Sequence, residues 1–230
     1  MRKQTIMSIK NSGIAVSESG RSRFTPIHLA VAIVVGLLCL TPHFTYGDGR
    51  HQFLAITFVV LLGVFCGSGG GQQRAVPVAI VAAGYALIWA ATNIVAAQLR
   101  TDLVATPAIW LRTSAGALVV FPLCALFGLG LGILFRNRSA AVIGMLLYLT
   151  HLEPLFCRGL NGIGWSSAIT YLPAMSAAKA LDGLTAAHRV LGGFAVVQPA
   201  WLTLLVFIGW TALALLAGTA VTRSQKGDRR

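Results

Sequence analysis

The stretch Ala75–Gln98, AVPVAIVAAGYALIWAATNIVAAQ, contains no charged side chain. A bilayer's hydrocarbon core is roughly 30 Å thick and takes about 20 helical residues to cross. Within it only a helix or a closed barrel satisfies every backbone polar group. The run exceeds that length and is too long and too continuously apolar for a barrel strand, so it predicts a transmembrane helix. Working outward from it, the same reasoning gives spans at 26–46, 53–67, 75–98, 113–135, 139–156 and 199–221. The 53–67 span is the shortest, needs its flanks to cross fully, and sets the direction of everything downstream. The composition agrees: 56% of the 230 residues are hydrophobic and 10% charged, outside the balance of a soluble domain. The expected fold class is all-α, a polytopic membrane protein with six transmembrane helices over 26–222.

The formal net charge is +12, and the placement of the charges decides what it means. Alternating loops collect Arg2, Lys3, Lys10, Arg21, Arg23, Arg74, Arg136, Arg138, Arg223, Lys226, Arg229 and Arg230 on one side. Arg50, Arg100, Arg112, Arg158, Lys179 and Arg189 fall opposite, with Asp48, Asp102, Glu153 and Asp182. The richer side is cytoplasmic by the positive-inside rule, which puts both termini inside as basic tails, 1–25 and 223–230. Attraction to anionic membrane lipid accounts for such tails, so no nucleic-acid partner is expected. The basic amino terminus before Leu29–Leu40 imitates a secretory signal but lacks a small-residue cleavage site. No eukaryotic targeting signal is apparent, and the expected location is a bacterial plasma membrane, multi-pass.

Between the spans, Gly67–Arg74 reads as a flexible inner turn and Arg100–Arg112 as an outer loop. Pro154, in His151-Leu152-Glu153-Pro154, is expected to end or kink the fifth helix. The segment from Cys157 to Gln198 is too polar and glycine-rich to cross. Within it Ala174, Met175, Ala178 and Leu181 recur at helical spacing between Pro173 and Gly183, which predicts a short interfacial or re-entrant helix before the last span.

Catalytic chemistry is hard to assemble from this chain. The glycine-rich turn Gly67–Gly71 lacks the Gly-Lys-Ser/Thr ending of a phosphate loop, so no cofactor is expected on this chain. Ser68 has Cys66 rather than glycine two residues before it, and His151 falls on the opposite side of the membrane from it. That separation defeats a serine–histidine pair, which needs hydrogen-bond reach. His43 and His51 lack a third metal ligand. Cys39, Cys66, Cys124 and Cys157 are widely spaced, without a C-x-x-C pair. The chain is read as not an enzyme.

Three groups of residues remain as candidate sites. Gly128 and Gly132 have the small-xxx-small spacing that lets helix backbones approach closely in lipid. Arg74, Arg136 and Arg138 either anchor span ends or contact acidic groups on a partner. His151 and Glu153 are the close ionisable pair near a span end and form a candidate outer gate, although their spacing of two puts them on different helix faces.

From about Leu118 onward the order of features resembles the membrane subunits of type II ATP-binding-cassette exporters, permeases with six spans. The residues that carry it are Ala125-Leu126-Phe127-Gly128-Leu129-Gly130-Leu131-Gly132-Ile133-Leu134-Phe135-Arg136-Asn137. A span follows, then Tyr171-Leu172-Pro173-Ala174, then a final span with a basic tail. The resemblance implies a transport subunit that pairs with a second permease chain and recruits a cytoplasmic ATPase subunit, which holds the ATP and Mg. Its cargo would be amphipathic or lipid-like. The departure lies between spans two and three, where such permeases carry a longer coupling segment and this chain has only Gly67–Arg74. That gap also suits a non-transporting accessory or immunity membrane subunit.

Overall fold

The computed structural model describes residues 50–99, 107–135, 137–182 and 199–227. The first span, the amino-terminal tail, Arg136 and the segment 183–198 lie outside the described residues. What is described is helical throughout, with no strand. The long helices are α1 (Arg50–Gly70), α2 (Ala75–Leu99), α3 (Pro107–Leu134) and α7 (Ala200–Gly227). Between α3 and α7 run α4 (Arg138–Leu147), a π turn (Tyr148–Leu152), α5 (Glu153–Gly162), a 3-10 segment (Ser166–Tyr171) and α6 (Pro173–Asp182).

Four stretches are long and apolar enough to cross a membrane: Ala75–Thr92, Ser114–Leu134, Ser139–Gly162 and Trp201–Ser224. Leu54–Ser68 in α1 is a shorter apolar helix, the one expected to need its flanks. Their outward faces carry Val76, Ile80, Val81, Leu87, Ile88, Leu147, Leu155, Trp201, Leu213 and Leu216, all exposed. A surface this apolar suits hydrocarbon and not water, so the described part is a membrane-embedded helical bundle. Hydroxyls on these helices mostly bond to their own backbone. Thr92 donates to the Trp89 carbonyl at 2.8 Å, Thr211 to Phe207 at 2.9 Å and Thr222 to Gly218 at 2.7 Å, which lowers the cost of a polar side chain in an apolar setting.

Helix α3 is the axis of the bundle, with α1, α2 and α7 around it. Its contacts advance with those of α1: Gly128 lies on Val60 and Val64, Gly132 on Val64, Gly63 on Ala125 and Leu129, and Gly67 on Leu129. The same holds against α7, where Phe127 meets Phe207, Gly130 meets Ala214 and Leu215, and Gly218 meets Ile133. Thus α1, α3 and α7 run parallel. The four-residue turn Gly71–Arg74 sends α2 back along the bundle, as a short loop between helices does. Aromatic rings tie α1, α2 and α3 together: Phe58 to Tyr85 at 5.1 Å, Tyr85 to Phe121 at 5.7 Å, and Trp89 edge-on to Phe121 at 5.5 Å.

Several expected boundaries move. Gly67–Gly70 belongs to α1 and not to a flexible turn, because Gly67 is pressed against the α3 backbone. The expected outer loop loses 107–112 to α3, which starts at Pro107, where a missing N–H costs nothing. The last helix passes Val221 and ends at Gly227, so part of the expected basic tail is helical.

Helix α4 starts where the Asn137 side chain accepts the backbone N–H groups of Ser139 at 3.0 Å and Ala140 at 3.3 Å, an N-cap. Pro154 does not end the helical run. The backbone shifts to π bonding, with the Glu153 N–H reaching the Tyr148 carbonyl. Pro154 then sits in the first turn of α5, where its missing donor is harmless. The run ends at a tight turn in which Gly164 has φ 80°, a left-handed conformation that glycine adopts freely. The chain then returns through the 3-10 segment into α6.

Candidate functional site

The expected helix between Pro173 and Gly183 exists as α6, packed within the bundle. Ala174, Met175, Ser176, Ala177, Ala178, Ala180 and Leu181 are all buried, with Lys179 half-buried, and α6 packs on α3, α7 and α1. The return is pinned by Trp210 of α7, whose Nε1–H donates to the Tyr171 carbonyl at 2.7 Å. Replacing Trp210 with Phe keeps a ring in place and strands that carbonyl, so a loss of about 1 kcal/mol is expected. Hydrogen exchange should then speed up across Ser166–Tyr171, and a profile equal to wild type would refute the pin.

Glu153 lies at the centre of this return. Its residue is only 1% exposed, and its Oε1 accepts the backbone N–H of Met175 at 2.8 Å. Met175 is in the first turn of α6, where N–H groups lack partners in the helix and the dipole favours negative charge. A carboxylate from one helix therefore caps another, 22 residues away in sequence. Its Oε2 is buried without a hydrogen bond of ordinary geometry, although Tyr148 and the Ala174 N–H lie alongside. The π turn makes this possible: it brings Tyr148, five residues earlier, onto the Glu153 face, while Cys157 follows one helical turn later.

His151 does not join it. The ring is exposed, and its Nδ1 lies 2.6 Å from the hydroxyl of Thr150. That hydroxyl is also 2.7 Å from the Leu146 carbonyl, to which it can donate, so the His151 ring is tied to its own helical run. The two members of the expected pair thus face different surroundings, one on the bundle's outer face and one inside it.

Gly128 and Gly132 fulfil their spacing against α1, and Gly63 and Gly67 answer them from the other helix. A methyl group added at any of the four would collide with a backbone carbonyl. Gly130 and Gly218 do the same between α3 and α7. Gly63 and Gly67 are also four apart, a spacing that the sequence reading does not single out.

Because α1 and α3 are parallel, Arg74 after α1 and Arg138 at the head of α4 lie at the same end of the bundle, together with Arg223 near the end of α7. Arg74 is half-buried and Arg223 exposed. Arg136 lies outside the described residues. Cys124 and Cys157 are buried, and Cys66 is partly so. Among the described residues no three His, Cys, Asp or Glu side chains converge as a metal site would require. In comparisons with known proteins, no family model, curated protein or solved structure matches the chain.

Proposed function

We propose that the chain is the permease subunit of an ATP-binding-cassette exporter in a bacterial plasma membrane. It crosses six times with both termini cytoplasmic, pairs with a second permease chain, and moves an amphipathic or lipid-like substrate. The observation that carries this is the order of elements, in which a segment containing Tyr171-Leu172-Pro173-Ala174 lies between an apolar helical run and the last long helix, as the type II exporter resemblance implies. The parallel course of α1, α3 and α7 fits alternate crossing, and it gathers Arg74, Arg138 and Arg223 at the end assigned to the cytoplasm.

ATP and Mg would be held by a separate ATPase subunit. ATP binding would favour one relative orientation of the two permeases and hydrolysis the other, with transport following from unequal substrate affinity for the two states. Cargo would travel along uncharged faces such as that of Ile143, Leu146, Leu147, Leu155 and Phe156. The decisive experiment is copurification followed by transport in vesicles. Stoichiometric recovery with an ATPase and ATP-dependent substrate movement are expected, and an isolated chain with neither would overturn the proposal. Arg136→Gln with Arg138→Gln is expected to weaken ATPase recruitment severalfold. Intact recruitment and transport would reduce these arginines to membrane anchors.

The four-residue turn Gly71–Arg74 between α1 and α2 favours a second reading, an accessory or immunity subunit that sequesters a peptide or stabilises a partner. Such a subunit would copurify with a membrane partner and show no ATP-dependent movement.

A further inference from the structure

We propose that Glu153 is a proton-binding latch: ionised, it holds the N-terminus of α6 against α5, and protonated, it releases that end. Two observations meet here. The first turn of the ten-residue helix α6 receives a carboxylate from outside the helix. That carboxylate belongs to a residue only 1% exposed and keeps its Oε2 buried without a hydrogen bond of ordinary geometry.

The opposing costs explain why such a group responds to protons. Taking a charge into an apolar bundle is unfavourable, while helix N–H groups and their dipole favour it. The groups facing Glu153 are Tyr148 and Cys157 from its own helical run and the N–H groups of Ala174 and Met175 from α6. No described Lys, Arg or His pairs with it, and His151 points to the exposed face. A proton is thus the small cation that the buried Oε2 can accept without rearranging the pocket. On protonation the charge-assisted bond to Met175 becomes a neutral one, roughly half as strong. The consequence falls on the first turn of α6, just downstream of the Trp210 bond at Tyr171.

The latch does not depend on transport and is tested without it. The full chain in lipid nanodiscs is examined by hydrogen exchange at the Met175 amide, expressed as a protection factor so that the intrinsic pH dependence cancels. Protection is expected to fall about tenfold from an alkaline to an acidic sample. Glu153→Gln, which keeps the shape and removes the charge, should show the acid value at both. Unchanged wild-type protection, or the same pH response in Glu153→Gln, would overturn the latch. A second measurement needs no variant. Dicyclohexylcarbodiimide, which attacks protonated carboxyl groups in apolar surroundings, should modify Glu153 in the acidic sample and little in the alkaline one. Equal modification at both would also overturn it.

Discussion

Gly128→Ile is expected to abolish the native bundle, with a loss of about 3 kcal/mol or more. Helices in lipid gain little from leaving it for one another, so close backbone packing carries their association. At Gly128 the first side-chain carbon already meets the Val60 carbonyl. What it meets is backbone, which cannot rotate away as a side chain can. Even Gly128→Ala should therefore destabilise. Gly144 and Gly209 provide the control, since an added methyl there meets nothing within 4 Å. Alanine at either position should be neutral or stabilising by about 0.5 kcal/mol, through helix propensity and a less flexible unfolded chain. Unfolding of the purified protein by sodium dodecyl sulfate would rank the variants. Equal behaviour of Gly128→Ala and Gly144→Ala would show that α1 and α3 do not pack as described.

Phe121→Ala is the second large effect. The ring is fully buried and touches both Tyr85 and Trp89. In a water-soluble core its removal would cost about 3–5 kcal/mol, part transfer and part cavity. Much of the transfer part vanishes here, because separated helices also offer the ring an apolar surrounding. The cavity and two ring contacts remain, the latter worth about 0.5–1.5 kcal/mol each, so a loss of about 2 kcal/mol is expected. Phe121→Leu should recover a substantial share by filling the space. The same detergent titration checks this, and a Phe121→Ala midpoint equal to wild type would mean that the ring cluster does not hold α2 to α3.

The long helices were legible in the sequence because the bilayer imposes a length and an absence of charge: 75–98 was expected and Ala75–Leu99 is observed. Helix α6 was legible from the period of Ala174, Met175, Ala178 and Leu181. Its burial was not, since periodicity gives a face but does not say what covers it. Pro154 marked the place where α bonding gives way, at the π turn Tyr148–Leu152, although the helical run continues beyond it. The separation of His151 from Glu153 followed from their spacing of two. That Glu153 would cap a helix 22 residues onward is a tertiary fact, with no local signature around either residue. Four of the glycines at the α1–α3 and α3–α7 contacts, Gly63, Gly67, Gly130 and Gly218, were readable only in part. A spacing of four identifies one stripe, and only the fold pairs it with another.

The two glycine seams on α3 are completed at different times during synthesis. The stripe of Gly128 and Gly132 can close on α1 as soon as α3 leaves the ribosome, whereas Gly130 waits for α7, the last helix described. A nascent chain halted before Ala200 would thus carry a half-clad α3 with a bare backbone groove at Gly130.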